Sequence, residues 1–114
     1  MSDKNAFLIY QDDNGVSNVN VRFDGEDVWL AAEQIQQLFQ ASRQDVAYHI
    51  AQIYSDGELV REATCKKFLQ VRQEGARSVK RQFAHYNLDM ILAIGMRIRS
   101  DVAVRFRQWA IRHL

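Results

Sequence analysis

The sequence predicts an α+β fold in one domain, and three observations lead to it. Apolar and polar residues alternate through Val19, Val21 and Phe23, the period-two pattern of a half-buried strand. From Ala31 onward, and again after Asn87, apolar residues recur at helical spacing. The length of 114 residues, 47% of them hydrophobic, suits one folded domain with a single core. We therefore expect residues 1–114 to form a β-hairpin or meander, two helices, a second β-hairpin and two carboxyl-terminal helices.

The amino-terminal strands are separated by turn signals. Residues 7–10 and 19–23 read as a hairpin closed at Asn14-Gly15, a dipeptide that adopts positive φ at low cost. Asp24-Gly25 marks a second turn, and residues 28–30 form a short third strand. Together they predict a small meander with one apolar face.

Two helices follow, at a spacing typical of a helix-turn-helix. The first runs from Ala31 to about Gln40. Ser42 has the marks of an N-cap, with Asp45 three residues later, so the second helix is expected over 43–54. The residues expected to face inward from the second helix are Val46, His49, Ile50 and Ile53, and those expected to form the core between the two helices are Ile35, Phe39 and Val46.

Residues 64–86 predict a basic hairpin, with strands over 65–72 and 78–86 and a turn through residues 73–76. Asn87 is the expected cap of a third helix over 88–98, and Ser100 that of a fourth helix running to the end. Val102, Phe106 and Trp109 are spaced as one buried face of that last helix.

The net charge of +1 conceals a strong asymmetry along the chain. Residues 1–57 carry three basic and nine acidic side chains, whereas residues 58–114 carry twelve basic and five acidic ones. The basic half favours a polyanionic partner such as nucleic acid, or an acidic protein. A solvated surface is the other interpretation of the same charges.

A DNA-binding interpretation follows from the helix pair and the hairpin. In a helix-turn-helix the second helix enters the major groove, and its outward residues here are Ser42, Arg43, Gln44, Ala47 and Tyr48. Arg43 suits the guanine edge and Gln44 the adenine edge. The hairpin contributes six cations, which are Lys66, Lys67, Arg72, Arg77, Lys80 and Arg81. Two packed helices with a polar outer face, and an edge strand protected by cations, are the purely structural alternatives.

No motif predicts catalysis, a metal or a cofactor. Cys65 is the single cysteine, so neither an internal disulfide nor a CxxC pair can form, and no His or carboxylate pair shows metal-ligand spacing. Residues 90–94 are the longest apolar run, far below the roughly 20 residues of a membrane span. We expect a cytoplasmic protein that is not an enzyme, has no cofactor and makes no membrane contact.

Several segments resemble the amino-terminal region of the RhuM family of virulence proteins, many of which are horizontally acquired. The segments that carry the resemblance are residues 28–35, 42–43, 49–50, 57–59, 65–69, 86–91 and 106–110, above all Tyr86-Asn87-Leu88-Asp89-Met90-Ile91 and Phe106-Arg107-Gln108-Trp109-Ala110. The order of elements is also similar, more distantly, to BRO-N and KilA-N type DNA-binding domains of phages and large DNA viruses. Met96 and residues 101–104 depart from the family pattern, which puts the local turn in question.

The resemblance implies one RhuM amino-terminal, BRO-N-like domain over 1–114, as a fragment of a longer protein of prophage type whose carboxyl-terminal region is a further partner. Combined with the residues above, it gives a double-stranded DNA-binding or regulatory module that binds through helix 43–54 and hairpin 64–86. The alternative is a protein-interaction or homodimerisation module that does not bind DNA.

Overall fold

The computed structural model describes residues 6–12 and 18–114. The described part of the chain contains five strands and five helices in the expected α+β order. The elements are β1 (Ala6–Gln11), β2 (Asn18–Asp24), β3 (Asp27–Ala31), α1 (Ala32–Phe39), α2 (Arg43–Ser55), α3 (Arg61–Thr64), β4 (Cys65–Glu74), β5 (Arg77–Asn87), α4 (Leu88–Ile98) and α5 (Ser100–His113). The predicted Asn14-Gly15 turn lies outside the described residues.

All five strands form one antiparallel sheet in the order β1-β2-β3-β5-β4. The meander and the basic hairpin, which the sequence shows only as separate units, are joined through β3 and β5. Trp29 pairs with Asn87, and Leu30 pairs with Tyr86. This pairing makes β3 a central strand, which explains why residues 28–31 are buried without alternation.

The core lies between one face of the sheet and the helices. Val19, Val21 and Phe23 project from β2 into the same buried cluster as helical residues. The largest fully buried side chains of the helices are Ile35, Phe39, Ile53, Met90, Ile91, Ile94 and Phe106. Arg22 and Trp29 lie on the opposite face of the sheet, opposite each other in register.

The turn between α1 and α2 is built by two residues. Gln40 takes the left-handed conformation, with φ of 56°, that a glycine often supplies at a helix C-terminus. The Ser42 hydroxyl accepts a hydrogen bond from the backbone N–H of Asp45 at 3.0 Å, which confirms the predicted cap. Ile35, Phe39 and Val46 are all buried in the shared core, as predicted.

The later helices confirm one predicted cap and correct another. The Asn87 side chain accepts from the N–H of Met90 at 3.3 Å and caps α4 as expected. The predicted Ser100 cap is wrong, because α5 already begins at Ser100 and its N-cap, Arg99, makes no side-chain capping bond. Only Arg99 separates α4 from α5, so Ser100 has no extended position from which to cap. The one-turn helix α3 was not predicted.

Two predicted core residues lie nearer the surface than expected. Trp109 is half-buried, although Val102 and Phe106 on the same face of α5 are buried. Its ring packs edge-on against Tyr10, with centroids 5.2 Å apart. His49 is also half-buried and packs against Tyr48 rather than into the core. Within the described ranges, none of the helices is long and apolar enough to cross a membrane.

Candidate nucleic-acid interface

The basic hairpin extends beyond the rest of the sheet. β4 and β5 pair from Cys65–Tyr86 to Glu74–Arg77, whereas β3 pairs only with residues 85–87 of β5. A two-residue turn closes the hairpin, with φ of 63° at Gly75, a conformation that glycine adopts without strain. The β3 side of β5 over residues 77–84 therefore has no partner strand in the described part of the chain.

The register divides the six hairpin cations between two faces, because directly paired residues lie on the same side of a sheet. Lys67 pairs with Ala84, and Lys80 pairs with Val71, on the face that the helices cover in the main sheet, called the helix-side face. Lys66, Arg72 and Arg81 belong by register to the other face, called the far face, although the Arg72 side chain also contacts Glu33 of α1. Arg77 is at the hairpin tip, opposite Glu74.

Two cations of the far face are held by carboxylates and rings. Lys66 Nζ is 2.6 Å from Asp24 Oδ2 and 5.1 Å from the centroid of the Trp29 ring. Arg81 is 2.9 Å from Glu74. Partial neutralisation by these partners leaves the far face less suited to phosphate contacts.

A stack of one arginine and two aromatic rings lies on the same far face. The Arg22 guanidinium lies between the rings of Phe7 and Phe68, at 4.6 Å and 4.4 Å from their centroids. His85 is buried beside this stack, 1% exposed, with its two ring nitrogens hydrogen-bonded to Gln70 and to the Phe83 carbonyl. Burial lowers the pKa of His85, and the positive charges of Arg22 and Arg72 lower it further.

Arg72 is the hairpin cation that forms a salt bridge with α1. Its guanidinium lies 3.7 Å from the centroid of the Phe83 ring, and it donates two hydrogen bonds to Gln70 Oε1. One terminal nitrogen is 2.9 Å from the Glu33 carboxylate of α1. These contacts fix the orientation of the guanidinium plane.

A groove of about 680 Å³ separates α1 and α2 from the hairpin. Its apolar wall includes Ala47, Ile50 and Ala51 of α2 and Ala84 of β5. Three arginines line it as well, one each from α2, α3 and β4, and they are Arg43, Arg61 and Arg72. Gln36, Phe83, Tyr86 and Glu33 also contribute to the lining.

The outward side of α2 is exposed as predicted. Arg43, Gln44, Ala47 and Tyr48 are all exposed, and Tyr48 retains 59% of its accessible surface. Arg43 forms no salt bridge with any carboxylate in the described ranges. The Ser42 hydroxyl is exposed, but its acceptor capacity is partly used for capping.

The structure therefore brings together some of the candidate residues and separates others. Arg43 and Arg72 line one groove, and Lys67 and Lys80 share a hairpin face with Ala84, which lines the groove too. Lys66 and Arg81 lie on the opposite face of the hairpin. Gln44 and Tyr48 lie on α2 beyond the groove lining.

Sequence reasoning missed Arg61 and Glu33 as members of this region. Arg61 stacks on Tyr54 with its guanidinium 4.5 Å from the ring centroid, and Glu33 pairs with Arg72. Arg61 lies in a segment that carried no helix signal. The contact between Glu33 and Arg72 joins residues far apart in the sequence, so no local pattern indicated it. In the described part of the chain, no group of three or more His, Cys, Asp or Glu side chains could hold a metal ion.

The comparison with protein families matches the carboxyl-terminal part of the chain. Residues 63–114 fit the model of the Virulence protein RhuM family. Over these residues the chain is similar to the RhuM family. No curated protein and no solved structure gives a significant match. The RhuM match spans the basic hairpin, α4 and α5 but not α2, and the more distant similarity to BRO-N and KilA-N domains stays a prediction.

One RhuM-like motif, residues 86–91, has a structural role here. Asn87 donates to Asp27 at 3.1 Å and to the Ala63 carbonyl at 3.3 Å while it caps α4. Asp27 in turn accepts from the N–H of Leu88 at 3.2 Å. The motif thus joins the start of β3, the end of α3 and the start of α4, outside the groove.

Proposed function

We propose that this RhuM-like chain is a double-stranded DNA-binding module with a regulatory role. The amino-terminal half of α2 enters the major groove, and the helix-side face of the hairpin contacts the phosphates beside it. The observation that carries the proposal is the position of Arg43. It is exposed, free of carboxylate partners in the described ranges, and lines the same groove as the hairpin.

The chemistry of α2 suits base edges. Arg43 can donate two hydrogen bonds to guanine O6 and N7, and Gln44 can pair with adenine N6 and N7. Ala47, one turn after Arg43, presents a methyl group that suits a thymine methyl. The side chains of Ala47 and Ala51 are small, so α2 can also lie close to the base pairs at the floor of the DNA major groove.

The charges that remain unneutralised are fewer than composition alone suggests. Among the cations of α2, α3 and the hairpin, those without a carboxylate in salt-bridge distance in the described part of the chain are Arg43, Arg61, Lys67, Arg77 and Lys80. If Arg43 contacts a base and the other four contact phosphates, the logarithm of the affinity should fall against the logarithm of the salt concentration with a slope of about −3 to −4.

The test is fluorescence anisotropy with a labelled mixed-sequence duplex over a series of salt concentrations. We expect binding at low salt with the slope given above, and a lower affinity for Arg43→Gln. Arg107→Gln on α5 is the charge-matched control, and it should bind as the native chain does. Absence of binding at low salt, or a slope near zero, would contradict the proposal.

We place this activity in the cytoplasm, where DNA is accessible, and in a prophage-type context such as the family resemblance implies. No catalytic step is part of the proposal.

A homodimer is the second candidate, because α5 has an exposed apolar stripe. Val104, Ile111 and Leu114 are exposed by 48%, 49% and 50%, and the first two lie two turns apart on one side of the helix. Sedimentation at tens of micromolar protein tests this candidate. A dimer that Ile111→Lys dissociates supports it, and a monomer contradicts it.

A further inference from the structure

We propose that the groove between α2 and β5 is a binding site for a nucleoside monophosphate, a small anion with a planar base. This inference goes beyond the proposed function, since it concerns a free small molecule rather than duplex DNA. The two share Arg43, so a bound nucleotide would compete with DNA.

The size and lining of the groove suit such a ligand. Its volume of about 680 Å³ lies in the range of small-molecule sites, roughly 300 to 1,000 Å³. The alanines at positions 31, 32, 47, 51 and 84 leave this space open, and Ile50 adds apolar surface. A small apolar site with a few polar groups is the usual form of a ligand pocket.

The charge of the groove favours an anion. Arg43, Arg61 and Arg72 contribute three positive charges, and Glu33 is the acidic residue in the lining. Glu33 is already paired with Arg72, which leaves Arg43 and Arg61 without carboxylate partners in the described part of the chain. Guanidinium groups bind phosphate with paired, directional hydrogen bonds.

Two of the arginines are held in place before any ligand arrives. Arg61 stacks on Tyr54, and Arg72 stacks on Phe83 at 3.7 Å. A guanidinium plane fixed in this way loses little conformational entropy on binding. It can also stack on a nucleic-acid base, as arginine does in single-strand recognition.

The remaining polar groups of the groove can form hydrogen bonds with the edge of a base. Gln36 offers both a donor and an acceptor, and the Tyr86 hydroxyl lines the same groove. The Tyr86 hydroxyl is protonated at neutral pH, as an ordinary tyrosine is, and can act as a donor; burial raises its pKa further. Phosphate on the arginines and a base near these groups together define a mononucleotide, which neither inorganic phosphate nor an uncharged nucleoside matches.

The experiment is isothermal titration calorimetry on the full chain at low salt with three probes: deoxyadenosine 5′-monophosphate, deoxyadenosine and inorganic phosphate. We expect the nucleotide to bind, and the nucleoside and phosphate to bind at least tenfold more weakly. Equal binding of phosphate and nucleotide, or no nucleotide binding at millimolar concentration, overturns the proposal.

Two substitutions in the groove test whether the nucleotide binds there. Arg61→Gln should lower nucleotide affinity at least tenfold, and Ala47→Leu, which fills the groove from an exposed helix position, should do the same. Arg107→Gln on α5 is the matched control and should bind within twofold of the native chain. Nucleotide binding that is unaffected by both groove variants overturns the proposal.

A measurement on the native chain covers the case in which a variant fails to fold. Backbone amide shifts on addition of the nucleotide should be confined to residues 31–36, 43–51, 61, 72 and 83–86, and shifts centred elsewhere contradict the site. The proposed DNA activity is measured separately. Nucleotide binding without duplex binding supports the groove and contradicts the proposed function, and duplex binding without nucleotide binding overturns the groove alone.

Discussion

Arg105 of α5 forms a two-point ion pair with Asp12, the residue that follows β1. Nε lies 2.8 Å from Oδ1 and the terminal nitrogen 3.0 Å from Oδ2 of the carboxylate. Tyr10 donates to the same carboxylate at 3.3 Å, and burial together with Asp12 raises the pKa of Tyr10 to about 12. The last helix is therefore joined to the first strand by a directional polar contact as well as by apolar packing.

Removal of this ion pair should lower the melting temperature. Arg105→Ala leaves the mostly buried Asp12 carboxylate without its bidentate partner, which is an unfavourable arrangement. Thermal unfolding followed by circular dichroism should show a lower melting temperature for Arg105→Ala, while Arg107→Ala should change little. A double-mutant cycle with Asp12→Ala should give a non-zero coupling energy, and additive effects would contradict a specific pair.

Gly95 should not tolerate a side chain. A Cβ at this position would lie 2.6 Å from Cε1 of Phe39 and 2.7 Å from Cβ of Ala103, and both residues are buried. Gly95→Ala gains about 1 kcal/mol of helix propensity but incurs roughly 1–3 kcal/mol of overpacking. Urea denaturation should therefore show net destabilisation. Phe39→Leu combined with Gly95→Ala should reduce the destabilisation that Gly95→Ala causes. A Gly95→Ala chain as stable as the native one would contradict close packing of α1, α4 and α5 around Gly95.

Asn87 should be important for stability because it serves three elements at once. Asn87→Ala removes the cap of α4 and leaves the Ala63 carbonyl and Asp27 without this donor, at a cost of about 2 kcal/mol. Asn87→Asp keeps a capping oxygen but places a second carboxylate against Asp27. Chemical denaturation should show that Asn87→Asp is less stable at pH 7 than at mildly acidic pH. Asp89→Ala, at an exposed position of the same helix turn, is the control.

His85 should make stability fall in mildly acidic solution. Its pKa is lowered in the folded chain, so the unfolded chain binds the proton more readily. The contribution of neutral His85 to the free energy of unfolding is fully present above the pKa of histidine in the unfolded chain, about 6.5. This contribution is lost as the pH falls from that value towards the lower pKa of His85 in the folded chain. The free energy of unfolding should therefore differ less between pH 7.5 and pH 5.5 in His85→Gln than in the native chain. An equal pH dependence in both chains would contradict the assignment.

The two hairpin faces should contribute unequally to DNA binding. Lys67→Gln with Lys80→Gln removes two unpaired cations of the helix-side face and should reduce the magnitude of the salt slope by about 2. Lys66→Gln with Arg81→Gln removes the same charge from the far face, where both cations have carboxylate partners. Duplex anisotropy should show a smaller effect for the second pair. Equal losses would mean that the far face also contacts DNA.

Local sequence patterns predicted most elements because they depend on short-range physics. The alternation through Val19 and Phe23, the caps at Ser42 and Asn87, and the turn at Gly75 each follow from the conformational preferences of a few neighbouring residues. The candidate residues on α2 were likewise readable, since one turn of helix determines which side chains point outward. The error at Ser100 has the same origin, because one residue decides whether a serine caps a helix or begins it.

Tertiary structure decided the arrangement of the candidate site. The pairing of Trp29 with Asn87 joins segments far apart in the sequence, and apolar patterns alone do not specify which strands become neighbours. That pairing places Arg72 beside Glu33 and opens the groove between α2 and β5. It also separates Lys66 from Lys67 in environment, because one meets Asp24 and the other does not. Charge counts are set by composition, but which charges remain available to a ligand depends on contacts that only the folded chain makes.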